Sequence, residues 1–279
     1  MEKEKLERNS LVGIFDSGFG GLNIMRGIVK QLPEYNYVYL GDNARAPYGS
    51  RSQEAVYKFT KDAVDFLFDK GCRLVILACN TASSHALKRI QKEYLPKKHP
   101  NKRVLGVIIP TIESIIEKNS SKRVGVIATE GTVASQVFKA ELEKVDPEIK
   151  VFQKACPLLV PILESGEKNS EITEIVLKKC LDPLTDKNID SLILGCTHYG
   201  LLEDKIKNLL DKKIKIIVED KIVALKLEDY LNRHPEIEND LKKEGNVEFF
   251  STDLTDKFKL LGSKFYGKPI TPQKIQFKD

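Results

Sequence analysis

Two short apolar runs, each broken at its end by a cysteine and small polar residues, constrain this chain more than any other feature. Leu74 to Ala78 show no polar alternation, so the run reads as a strand buried on both faces, and it stops at Cys79, Asn80 and Thr81. Far downstream, Leu192 to Leu194 repeat the pattern and stop at Cys196, Thr197 and His198. A strand buried on both faces needs helices above and below it, which leads to an α/β fold, and ligands bind at the carboxyl ends of strands in such sheets. Beyond the first cysteine, Ser83 or Ser84 is placed to cap a helix running through His85, Leu87 and Ile90.

The rest of the chain fits that frame. Leu11 to Phe15 read as a strand ending at Asp16 and Ser17, followed by Gly18, Gly20 and Gly21. These glycines do not make a dinucleotide fingerprint, which needs glycine where Asn23 stands, and there is no P-loop, so no nucleotide is expected. They open the start of a helix over Leu22 to Gln31, whose free amides suit a carboxylate. Tyr37 to Leu40 form the next strand, then a loop with Pro47, Tyr48 and Gly49, a helix over Gln53 to Asp69, and a strand over Val104 to Ile109 ended by Pro110. The order then starts again: Val124 to Ala128 end at Thr129 to Thr132, and Thr129 stands about as far before Cys196 as Asp16 stands before Cys79. We read an internal duplication, each half bringing a thiol to the carboxyl edge of a mainly parallel sheet, the two halves facing each other across a cleft. Residues 1–109 with 220–279 form one expected domain and 110–219 the other. After Cys156 and Leu158 to Leu163 comes Glu164. Ile214 to Val218 form a strand ending at Glu219 and Asp220, a helix passes through Leu225 and Leu231, and Val247 to Phe250 form the last strand.

Composition limits the function classes. A chain of 279 residues is long enough for two cores, and its charge of +5 is dispersed without a basic block, which gives nucleic acid little claim as a partner. Lys97 to Lys102 read as a solvated loop. Met1 to Ser10 are too charged for a secretory signal, and no run approaches the ~20 apolar residues of a membrane helix, so a cytoplasmic location is expected. Five scattered cysteines without a Cys-x-x-Cys pair read as reduced thiols.

A lone cysteine after a buried strand is ordinarily a small core residue. Two at equivalent positions suit different chemistry, in which the α-proton of an amino acid is taken from one face of a planar carbanion and a proton is returned on the other. One thiolate and one thiol supply that pair, because a thiol pKa near ~8.5 responds strongly to its surroundings. Asp16 is placed to orient or help deprotonate whatever lies near Cys79, and His198 to do the same for Cys196, unless it is simply a satisfied corner histidine. Ser17, Asn80, Thr81 and Thr197 are uncharged hydrogen-bonding groups suited to carboxylates and an ammonium.

The segments DSGFGGL from Asp16, GDNARAPYG from Gly41, LACNTAS from Leu77 and LGCTHYGLL from Leu194 together resemble the glutamate racemase family, cofactor-independent enzymes that make D-glutamate for bacterial peptidoglycan. The resemblance runs from Val12 to about Val218. It implies two pseudo-symmetric α/β domains, Cys79 and Cys196 as the acid/base pair, no cofactor or metal, and a homodimer. It also implies substrate contacts at Asp16, Ser17, Tyr48, Gly49, Asn80, Thr81, Thr197 and His198, with Glu164 supporting the histidine and the loop from Thr129 to Thr132 against a carboxylate. The chain departs from the family pattern at Gly200, at Glu219 and Asp220, and at Thr111. Two rivals stand beside this reading: a racemase of aspartate or another small acidic amino acid, and a zinc or redox protein built on Cys79, His85, Cys196 and His198.

Overall fold

The computed structural model describes residues 9–117 and 121–277; residues 1–8 of the charged leading segment lie outside the described residues. Ten strands among the described residues form two sheets, and every strand pairing is parallel. The first sheet holds β1 (Leu11–Asp16), β2 (Tyr37–Gly41), β3 (Cys72–Leu77) and β4 (Arg103–Gly106). The second holds β5 (Arg123–Ala128), β6 (Lys150–Ala155), β7 (Ser191–Gly195) and β8 (Lys215–Ile217). Two late strands, β9 (Val247–Ser251) and β10 (Gln273–Lys274), return to the first sheet.

The strand orders are β10-β9-β2-β1-β3-β4 and β6-β5-β7-β8. Without β9 and β10, the first order is the second with new labels: β1 corresponds to β5, β2 to β6, β3 to β7 and β4 to β8. Asp16 therefore ends the strand equivalent to the one that leads to Thr129, and β3 and β7 deliver Cys79 and Cys196. The duplication read from spacing is a duplication of topology.

Burial on both sheet faces explains the unbroken apolar runs. Leu74 and Ile76 of β3 join Tyr37 and Tyr39 in one core with the helices Leu22–Gln31 and Glu219–Arg233, while Val75 and Leu77 join Val38 and Leu40 in another beneath the helix Gln53–Asp69. In β7, Leu192 and Leu194 likewise face one core and Ile193 another. At ~25 cal/mol per Å² of apolar surface, two-sided burial of this kind supplies most of the favourable term in folding.

Several expected boundaries move, each for a local reason. The helix after β3 begins at Asn80 with Cys79 at its cap position, not at Ser83 or Ser84; those hydroxyls turn back to donate to the Leu77 and Thr81 carbonyls. Strand β4 stops at Gly106, and Pro110 falls in the first turn of the helix Ile108–Glu117, where a missing amide has no intrahelical partner to lose. Part of the Lys97 to Lys102 segment is helical, as Leu95–Lys98. β6 carries no clear strand pattern because Lys150 to Ala155 mixes charge with apolar residues, as suits a strand at the edge of the second sheet.

Candidate active site

Cys79 enters from the first sheet. Its thiol is buried and lies 3.3 Å from the Ser17 hydroxyl. Burial first, then the Asp16 carboxylate, push its pKa up to about 11, opposed by the Ser17 hydroxyl and the Ala82 and Ser17 amides. Asp16 itself has no exposed surface. It accepts the Gly18 amide at 3.0 Å and the Thr197 hydroxyl at 3.4 Å, which ties the edge of one sheet to that of the other. Burial also raises the Asp16 pKa, with His198 the main opposing influence.

Cys196 enters from the second sheet. Burial is the main cause holding its thiol well above the ordinary range, and negative charge on Cys79 adds to it. Ionisation of either thiol therefore opposes ionisation of the other, which favours a pair with one charged member. His198 places Nδ1 4.0 Å from the Cys196 sulfur and Nε2 3.1 Å from Oε1 of Glu164. Its ring is packed against Phe19 and Phe265, with centroids 5.6 and 5.4 Å away. A neutral imidazole that donates from Nε2 to the carboxylate leaves Nδ1 as an acceptor facing the thiol.

Both cysteines line one cleft with a cavity of about 100 Å³. Ser17, Tyr48, Gly49, Asn80 and Thr81 form its wall on one side, and Thr197, His198 and Glu164 on the other. Asp16 does not line it; it is fully buried, with its carboxylate held by Gly18 and Thr197. Across the mouth, the Thr81 hydroxyl lies 2.9 Å from that of Thr129 and 3.3 Å from that of Thr132, and the Gly131 amide donates to the Gly49 carbonyl at 2.8 Å. Gly49 is glycine because a Cβ there would sit 2.8 Å from the Thr129 Cβ. The Tyr48 hydroxyl is occupied by Asp42, which also accepts from Arg45 at 2.6 Å and Thr252 at 2.8 Å, so Tyr48 turns its ring to the cleft.

His85 stands apart from the thiols, against Gly131. Among the described residues, no three His, Cys, Asp or Glu side chains converge as a metal site. All five cysteines are free. The sequence reading gave no role to Asp42, although it stands at a strand's carboxyl end much as Asp16 does, and missed Phe265, whose position near the chain's end gives no local signal. It also missed Pro157, Val160 and Pro161, which supply apolar wall beside Glu164.

Fold and site together define a two-lobed α/β racemase whose cleft is lined by one thiol from each sheet. The chain belongs to the Asp/Glu/Hydantoin racemase family, whose family model matches residues 12–222. The glutamate racemase of Persephonella marina is 38% identical over 266 residues, covering 95% of this chain and 96% of that protein. That of Aquifex aeolicus is 37% identical over 263 residues, covering 94% and 96%. The crystal structure of glutamate racemase from Francisella tularensis in complex with D-glutamate matches with a TM-score of 0.87 at 32% identity, over 97% of this chain and 98% of that one. No helix among the described residues is long and apolar enough to cross a membrane.

Proposed function

We propose that this cleft interconverts L- and D-glutamate without a cofactor, with Cys79 and Cys196 as the two acid/base groups. One observation carries the reading: the two thiols occupy equivalent positions in the two sheets and line the same small cavity. Before substrate arrives, burial keeps both thiols protonated. A substrate ammonium brings positive charge into the enclosed space and lowers the pKa of the thiol it approaches. As the substrate enters, that thiol releases its proton to water; the resulting thiolate takes the α-proton, the C–H electron pair stays on a planar carbanion, and the opposite thiol delivers its proton to the other face. The protein ends with the thiolate on the other side. Ser17, Asn80, Thr81 and Thr197 hold the substrate's polar groups while the thiols face its α-carbon.

Asp16 and His198 serve as the flanking groups for Cys79 and Cys196, and Glu164 orients His198. The wall segment Tyr48 and Gly49 closes the mouth against Thr129. On this reading the two domains are residues 1–109 with 220–279, and 110–219. The active form is a homodimer in the cytoplasm, and the product serves peptidoglycan synthesis. The test is a racemisation assay on glutamate, aspartate and alanine with chelator-treated protein and no added cofactor. Turnover of glutamate far above the other two supports the proposal; preference for aspartate replaces it with the related reading. Sedimentation of the purified protein tests the dimer.

A further inference from the structure

Glu219 opens the helix Glu219–Arg233 and is 2% exposed, yet it makes no salt bridge among the described residues. Its partners are neutral: the Asn80 side-chain amide donates to Oε2 at 2.8 Å, and the Thr111 hydroxyl lies 3.4 Å from Oε1. Burying a carboxylate without a cation is unfavourable, and burial pushes its pKa up to about 8, which favours the neutral acid at pH 7. The Thr111 hydroxyl hydrogen is already used on the Val107 carbonyl at 2.8 Å. The acid proton on Oε1 then goes to a Thr111 lone pair, while Oε2 accepts from Asn80, and each hydrogen is used once.

Asn80 links this buried acid to the cleft. It immediately follows Cys79, is 2% exposed and lines the cavity, and its Oδ1 is buried with no hydrogen-bond partner. An unpaired buried acceptor is destabilising, so its presence calls for a role. We propose that Glu219 is a positioning residue: by holding Nδ2 of Asn80 it keeps Oδ1 turned to the cleft, where the ammonium of the bound amino acid supplies the missing donor. This rests on the glutamate reading of the cleft and adds to it a residue outside the cavity wall. It also gives a role to one departure from the family pattern.

The test is a double-mutant cycle read as KM against kcat for both enantiomers. Glu219→Leu should raise KM about tenfold with kcat within about threefold of wild type, and Glu219→Gln, which offers the same acceptor and donor as the neutral acid, should restore most of it. In an Asn80→Ala background, Glu219→Leu should leave KM unmoved. Should the leucine variant not fold, Glu219→Met, unbranched and of similar length, takes its place in the cycle. A KM unchanged by Glu219→Leu, or raised equally in both backgrounds, overturns the positioning role. A wild type that does not turn over glutamate overturns the reading of the cleft as well, so the two failures are distinguishable.

Discussion

His198 Nε2 lies 3.1 Å from Glu164 Oε1, while the other ring nitrogen faces the Cys196 sulfur. Glu164 ends the helix Leu159–Glu164 and His198 begins the turn after β7, so the pair is made by tertiary packing within the second half of the chain. Its consequence is a fixed imidazole: one nitrogen is held by a carboxylate, and the other faces the Cys196 thiol and the Thr197 hydroxyl.

Replacing Glu164 with alanine should therefore lower kcat about 10- to 100-fold with a smaller change in KM, within the range of general acid–base contributions. Glu164→Gln, which can still hold the ring by accepting a hydrogen bond, should fall between alanine and wild type. Steady-state kinetics on both enantiomers checks this, and equal KM and kcat changes for the two variants would argue that Glu164 only packs.

Gly20 is predicted to tolerate no side chain. A Cβ there would fall 2.4 Å from the Thr197 hydroxyl and 2.5 Å from His198 Nδ1, two side chains held on the turn after β7 by Asp16 and Glu164. Gly20→Ala should lower kcat/KM by at least about 100-fold and the melting temperature by several degrees, as overpacking costs ~1–3 kcal/mol. Activity near wild type would show that the two lobes part more readily than the contacts suggest.

Much of this was legible in the sequence because one physical rule marks it. A strand buried on both faces ends where polar residues resume, and both cysteines, Asp16 and the match of β1 and β3 with β5 and β7 follow from reading those ends, whereas β6 gave no such signal. The helices Leu22–Gln31 and Gln53–Asp69 stand where periodicity put them. Less legible was whatever depends on distant packing. The Thr111–Glu219–Asn80 chain joins three segments far apart in sequence, Phe265 reaches His198 from the last helix, and Pro110 punctuates a helix start as readily as a strand end.

Cys79 should alkylate slowly and with steep pH dependence in the substrate-free protein. With its pKa pushed up to about 11, the thiolate fraction is small at neutral pH and grows about tenfold for each unit of rising pH. Iodoacetamide labelling followed by peptide mapping should show a rate still rising at pH 9.5. A plateau near pH 8 would mean that other groups already stabilise the thiolate without substrate.

Glu219 predicts a slope in stability against pH. An unfolded glutamate titrates near ~4.3, whereas the folded one holds its proton to about 8, so between those values the folded chain binds more protons. Its contribution is complete below the lower value and is lost as pH rises through the upper one, by on the order of a few kcal/mol. Urea unfolding at pH 5.5 and 8.5 should show a larger fall for wild type than for Glu219→Gln. Equal falls would place the ionisation of Glu219 in its ordinary range.

The proposed mechanism has two sulfurs serving one carbon from opposite sides, and single-thiol variants in deuterated water test that most directly. Cys79→Ala and Cys196→Ala, each shown to be folded by its melting transition, should racemise L- and D-glutamate at least about 1000-fold more slowly than wild type. Wild type should convert either enantiomer to product carrying deuterium at the α-carbon. Racemisation at a rate close to wild type in either variant would contradict the two-thiol mechanism.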